Sequence, residues 1–316
     1  MHWRLKATVQ KVLGALPRGK ELHYLLQRHA GGLKDLEGEL AMKLDDFRLM
    51  AGHLHDVDMP IQGTRFLEMG SGWYATLPLC LYLAGAKSID TLDLERHMRP
   101  DLLLECATRL CRHIHVIAHA GKRSPDDVSD DQRAIVRALK HGATLDDATG
   151  GVVRYRAPAD ACATGHADAS LDVVYSNSVL EHVPGPIIER GFEEARRILR
   201  PRGVIFHSAN CGDHYAYVDR AITQLNYLRY SDSAWQKWNN AFLYQNRLRA
   251  EDFTRMARTA GFTIEVDTSR PHPKRLAELA AIEVHPHFSR YSREQLAITS
   301  IDFVGRKSEP RAQSLS

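Results

Sequence analysis

The sequence predicts an α/β protein: a doubly wound, mostly parallel, seven-stranded sheet with an N-terminal helical cap and two helical insertions. Three observations predict it. From residue 64 onward, short β-branched or aromatic runs alternate with amphipathic stretches. Such alternation needs crossover connections, hence parallel strands with helices on both faces. Residues 1–60 contain no strand-like run, and two connections, 96–150 and 210–250, exceed ordinary loop lengths.

The elements follow in order. MHWRLKATVQKVLGALPRGK has helical spacing at Trp3, Leu5, Val9, Val12, Leu13 and Leu16, and no acid. It is expected to pack on the main domain, with a membrane surface or a transit-like role as alternatives. GKELHYLLQRHAGG and LKDLEGELAMKLDDFRLMAGHLH complete a helical cap over 1–60. TRFLEM is the first strand, LPLCLYLAG a helix ended by Gly85, and SIDTLDL (88–94) the second strand. The first insertion holds DLLLECATRLCRHIHVIAHA and a helix expected to open on the capping-box spacing Ser129 to Gln132. VVRYRA (152–157) and LDVVYS (171–176) are strands three and four. PIIERGFEEARRILR is a helix begun at Pro186 and expected to stop at Pro201, before strand five, GVIFHSA (203–209). The second insertion is rich in aromatics, among them Tyr227, Tyr230, Trp235 and Trp238. AEDFTRMARTAG is a helix, and FTIEVDTS and AITSIDFVGRK are the last strands. The main domain thus spans 61–310, and 311–316 reads as a disordered tail.

Composition excludes several classes. The chain has 316 residues, 44% of them hydrophobic, enough for a sizeable core. A net charge of only +3 argues against a dedicated nucleic-acid binder. No apolar run nears the roughly 20 residues of a transmembrane span, and the start lacks the apolar core of a secretory signal. Five cysteines, an odd number, suit reduced thiols and a cytoplasmic location. Cys106 and Cys111, followed by His113, His115 and His119, superficially suggest metal ligands. Cysteines five apart share no helix face, so a buried helix and no metal are expected.

Ligands of an open α/β sheet bind beyond the carboxyl ends of its strands. There the sequence places Glu68 and Gly70-Ser71-Gly72 after strand one, and Asp93 with Leu94 after strand two. Asp160 and Ala161 follow strand three, Ser176 and Asn177 strand four, and His207, Asn210, Asp213 and His214 strand five. Gly70 to Ala75 matches G-x-G-x-x-G/A, a turn that lets a ligand approach closely. Both a nicotinamide dinucleotide and S-adenosylmethionine (SAM) fit such a turn. Glu68, two residues before the first glycine, suits a ligand carrying an ammonium group.

LEMGSGW, TLDLE, APADACATGHADASLDVVYSNSVLEHV and RRILRPRGVIF occur in the order of the motifs of class I SAM-dependent methyltransferases, and the chain resembles their type 11 group over about 64–307. The resemblance implies a Rossmann-like domain and SAM as methyl donor, with S-adenosylhomocysteine (SAH) as product. It implies that Glu68, Gly70, Ser71 and Gly72 face the methionine end, and that Asp93, beside Leu94, binds the ribose hydroxyls. Asp160 and Ala161 would contact adenine, and Ser176 and Asn177 would lie under the sulfonium. Arg202 replaces the first glycine of the usual P-G-G turn. In some quinone-pathway and small-RNA members an E-x-x-E-H run binds a divalent metal. Ser178 stands at its first position here, so no metal is expected.

The expected activity is methyl transfer to a small-molecule acceptor, most simply at oxygen with a histidine base. His214 is the first candidate, with Asp213, His182 and His207 beside it. The 210–250 segment is the candidate acceptor lid, with the N-terminal helices closing the other side, its aromatics either lining a pocket or packing the insertion. Alternatives are S- or N-methylation by positioning alone, a non-catalytic SAM-binding protein, an NAD(P)-dependent oxidoreductase and an RNA methyltransferase. A homodimer stays open.

Overall fold

Apolar periodicity builds the cap. Helix α1 (Trp3–Ala15) buries Trp3, Ala7, Gln10 and Leu13, α2 is Gly19–Ala30, and α3 is Leu36–Asp56. The Asp35 side chain caps α3 by accepting from the Gly38 amide, and Leu40, Leu44, Phe47 and Leu54 pack into the main core. The computed structural model describes residues 1–309, so the tail expected at 311–316 lies outside the described residues.

Seven strands form one sheet: β1 (Arg65–Met69), β2 (Ser88–Leu92), β3 (Val153–Arg156), β4 (Leu171–Asn177), β5 (Leu199–Asn210), β6 (Phe262–Asp267) and β7 (Ser300–Lys307). Their spatial order is β3-β2-β1-β4-β5-β7-β6. The pairs among β1 to β5 are parallel, while β7 runs antiparallel to both β5 and β6. The predicted doubly wound sheet is therefore the one observed. Beside β1 the order reverses, with β2 on one side and β4 on the other, and a crevice opens at the carboxyl ends.

Helix α4 (Thr76–Leu83) follows β1. The first insertion folds as α5 (Pro100–Arg109), α6 (Ile114–Gly121), α7 (Pro125–Lys140) and α8 (Leu145–Ala148). Helix α7 starts at Ser124-Pro125, not at the expected capping box. The Ser124 side chain accepts from the Asp126 amide, with Pro at the first helical position and two aspartates in the first turn. Gln132 lies inside the helix and donates to the Ala107 carbonyl at 2.7 Å.

Helix α9 (Gly185–Ile198) ends three residues before Pro201, and β5 begins at once. Pro201 does not stop the helix. Arg202 takes a left-handed φ of 63°, a conformation in which glycine is the usual occupant.

Helices α10 (Asp232–Gln236), α11 (Ala250–Thr259), α12 (Pro273–Leu279) and α13 (Arg293–Leu296) complete the chain. The aromatics of the second insertion form a core of their own. Trp3 of α1 packs against Trp238 at 5.0 Å and Tyr215 at 5.4 Å between ring centroids, and Tyr227 and Trp235 are almost wholly buried with them. Arg249, also buried, donates to the carbonyls of Cys211 and Leu296. Tyr227, Tyr230, Trp235 and Trp238 thus tie the insertion to α1 and do not line a pocket. Among the described residues no helix is long and apolar enough to cross a membrane.

Candidate functional site

A cavity of about 480 Å³ occupies the crevice. Its floor is the β1–α4 turn. Gly70 has a φ of +86°, and a Cβ there would come within 2.5 Å of the Val179 side chain. Gly72 has a φ of +70° and meets nothing within 4 Å of its would-be Cβ. The first glycine thus permits close packing, and the second keeps space open above the turn. Gly70→Ala is expected to lower the melting temperature by roughly 5–10 °C in a thermal scan, from backbone strain and overpacking together. Gly72→Ala carries only the strain and should lower it by less.

Two carboxylates face this turn. Glu68 is buried and accepts from the Thr91 hydroxyl, which also meets Ser71 Oγ. Burial pushes its carboxyl up to about 8. Asp93 accepts from the Gly72 amide at 3.4 Å and from the Tyr155 hydroxyl at 3.0 Å, and burial raises its pKa as well. A pocket holding two buried carboxyls with few cationic neighbours suits a ligand that brings positive charge and hydroxyl donors.

The opposite wall comes from the cap, as expected of the N-terminal helices. Lys43 of α3 donates to Asn177 Oδ1 and lies 3.6 Å from Asp46. Glu39, also on α3, accepts from the Tyr74 hydroxyl at 3.4 Å. Trp73, next to the glycine turn, stacks on Tyr24 of α2 at 5.2 Å between centroids. The sequence points to the cap helices for this side but not to Glu39 or Lys43.

Several expected residues lie elsewhere. Strand side chains alternate between faces. Asn177 therefore reaches the cavity, while Ser176 points into the core and bonds His207 Nδ1 at 2.7 Å. His207 is wholly buried between Phe192 and Phe303, and burial pushes its pKa down to about 3. A base so enclosed cannot reach a substrate. Asp213 is likewise enclosed, accepting from the Tyr215 amide at 2.9 Å and Asn226 Nδ2 at 2.8 Å. It caps the one-turn 3₁₀ helix His214–Tyr217. Leu94 is exposed, and Asp160 accepts from the Cys162 amide in a turn; neither these nor Ala161 line the cavity. That turn lies near Asp93, whose carbonyl accepts from the Ala159 amide.

At the far end stands a group that the sequence left scattered. Ser178 takes a left-handed φ of 56° and leads into the 3₁₀ turn Leu180–His182. His182 lines the cavity, and its Nδ1 lies 2.6 Å from the Tyr244 carbonyl, which marks Nδ1 as the protonated nitrogen. The His214 ring packs edge-on against it at 4.9 Å. His214 Nε2 lies 4.0 Å from Glu181 Oε1, and Asn210 N donates to the same oxygen at 3.2 Å. Burial lowers the pKa of both histidines, that of His214 to about 3, and pushes Glu181 up to about 7. Glu181, His182 and His214 offer ligand atoms all within 4.8 Å of one another. This group could hold a metal ion, a set that the sequence reading, which expected no metal, did not assemble. Of the two histidines, His182 and not His214 borders the cavity.

Residues 126–207 match the family model for a methyltransferase domain, a span running from α7 to β5 that includes β4, Asn177 and the turn bearing His182. Over this span the chain matches a methyltransferase domain of the SAM-dependent kind that its motifs resemble. No curated protein matches it. Among solved structures, the chain is similar to a SAM-dependent methyltransferase of Mesorhizobium loti, with 13% identity over 78% of this chain and 92% of that one, at a TM-score of 0.43. It is also similar to geranyl diphosphate C-methyltransferase of Streptomyces coelicolor A3(2), with 12% identity over 82% and 78% of the two chains, at a TM-score of 0.46.

Proposed function

We propose that the methyltransferase moves the methyl group of SAM to an oxygen of a small molecule held between the glycine turn and His182. The observation that carries this reading is His182 itself. It is the histidine that lines the cavity among the described residues, and with Nδ1 turned to Tyr244 its Nε2 lone pair is left for an incoming proton. Its lowered pKa keeps the ring neutral, and so able to accept, at ordinary pH.

The turn fits the methyl donor. Glu68 meets the ammonium of the methionine end, the open side of Gly72 admits the backbone of that end, and Asp93 accepts from the ribose hydroxyls. Adenine then extends past Leu94 toward the Asp160 turn. The donor supplies an activated methyl on a sulfonium. With the donor bound, an acceptor oxygen would take that methyl, the O–C bond forming as the C–S bond breaks and the electron pair staying on sulfur, and His182 Nε2 would receive the hydroxyl proton. His214 and Glu181 pack behind His182. Lys43, Asn177 and Tyr74 hold the acceptor in line, which is the larger part of catalysis for such a displacement.

Incubation with methyl-labelled SAM and hydroxyl-bearing metabolite pools tests this. A labelled O-methyl product with stoichiometric SAH is expected. Label on nitrogen or sulfur overturns the oxygen assignment, and SAM bound without SAH release overturns catalysis.

Glu68 gives the site a pH dependence. In the free protein its carboxyl titrates near 8, and pairing with an ammonium requires the ionised form. Below that pH, ligand binding must expel a proton. SAH affinity is expected to fall by up to about tenfold per pH unit from 8 down to 6 and to level off above 8. Calorimetry across this range, in buffers of differing ionisation enthalpy, reads the released proton. Glu68→Gln should bind more weakly and lose the slope.

A further inference from the structure

The outer face of the cap is apolar where a solvent-facing helix is ordinarily polar. Thirteen large hydrophobic side chains are exposed among the described residues, and eight lie within residues 1–26. On α1 they form one stripe: Leu5 (56% exposed), Val9 (42%), Val12 (56%) and Leu16 (48%). Their spacing of four, three and four puts them on one side, opposite the buried stripe of Trp3, Ala7, Gln10 and Leu13. Helix α1 is therefore apolar on two faces, and Trp3 occupies only the inner one. Leu22, Leu25 and Leu26 add exposed apolar surface on α2, which packs against α1.

Charge singles out what covers this face. Residues 1–34 hold seven lysines and arginines against one acid, Glu21, a net +6 in a chain whose total is +3. The remainder of the chain is thus net −3. By helical position, the exposed Arg4 and Lys11 flank one side of the stripe, where long stems can lie along apolar surface while their heads reach outward. A second copy of this chain would bring the same positive charge against itself. An anionic surface with an apolar interior satisfies both the stripe and its flanks.

We propose that α1, with the adjoining face of α2, docks on an anionic phospholipid surface, lying in its plane with Leu5, Val9, Val12 and Leu16 inserted among the acyl chains. The residues that follow α2, Gly32 and Leu33, border the cavity, so docking brings its mouth toward the lipid. The docking stands whether or not the acceptor oxygen is assigned correctly.

Co-sedimentation of the full chain with vesicles tests it. Vesicles of phosphatidylcholine with one-quarter phosphatidylglycerol are expected to bind at least tenfold more protein than phosphatidylcholine alone, and the difference should shrink severalfold in half-molar salt. The triple variant Val9→Gln, Val12→Gln, Leu16→Gln should lose at least tenfold in binding, with SAH affinity unchanged. The exposed charge pair Arg4→Glu, Lys11→Glu gives an independent route and should abolish the preference for anionic lipid. Equal binding to both vesicle types, binding untouched by both variants, or sedimentation of a dimer that the triple variant dissolves would overturn the proposal. Absent SAH binding would strike the donor-site reading and leave the lipid result standing.

Discussion

His182→Ala is expected to lower kcat by about 100-fold or more, the usual range for a positioned base, while SAH affinity changes by less than about twofold. The split follows from geometry. His182 lines the cavity from the turn that follows β4, whereas Glu68 and Asp93 come from β1 and the end of β2. Its loss leaves the donor-binding end intact and removes the group that takes the acceptor proton. His214→Ala should cost less, about tenfold, because His214 does not border the cavity and packs against His182. Single-turnover measurement of SAH formation separates this step from product release. The pH profile adds a check. A histidine with a lowered pKa loses activity only as the pH falls through that lowered value, so turnover should hold below 6.5 and then decline. Unchanged kcat in His182→Ala would remove the base.

The second large effect falls on binding. Asp93→Ala is expected to weaken SAH affinity by about 100-fold, since hydrogen bonds to a charged acceptor are worth about 1.5–3 kcal/mol each. The fold should survive. Asp93 sits at the end of β2, and its removal frees only the Gly72 amide and the Tyr155 hydroxyl, both beside the open cavity. Asp93→Asn keeps the shape and loses the charge, so it should fall between the two. Calorimetric titration with SAH reads the affinity, and circular dichroism the fold. Unchanged affinity in Asp93→Ala would remove the ribose assignment.

Part of this site was legible in the order of residues. Glu68, Gly70, Gly72 and Asp93 each sit at the carboxyl end of a strand, and strand ends converge in any parallel sheet. Their local spacing therefore carried their spatial meaning. Ser176 and Asn177 illustrate where that reasoning weakens. Both end β4, yet pleating sends one to the core and one to the cavity, and a one-residue choice of register decides which. His207 fails for the same reason, since its register partner across the sheet is Ser176.

Composition, strand–helix alternation and the glycine turn with its two carboxylates determined the fold class and its parallel strands and pointed to the proposed donor end of the site. They did so because those signals are local and periodic. Tertiary packing alone decided the rest. It brought Lys43 of the cap to Asn177, 134 residues away, and Tyr155 to Asp93, 62 residues away. It set His214 behind His182 and gathered the second insertion's aromatics around Trp3 instead of a substrate. Such pairings depend on how separately formed elements dock, and docking is governed by shape, burial and the need to satisfy every enclosed polar group. None of these leaves a fixed interval in the chain.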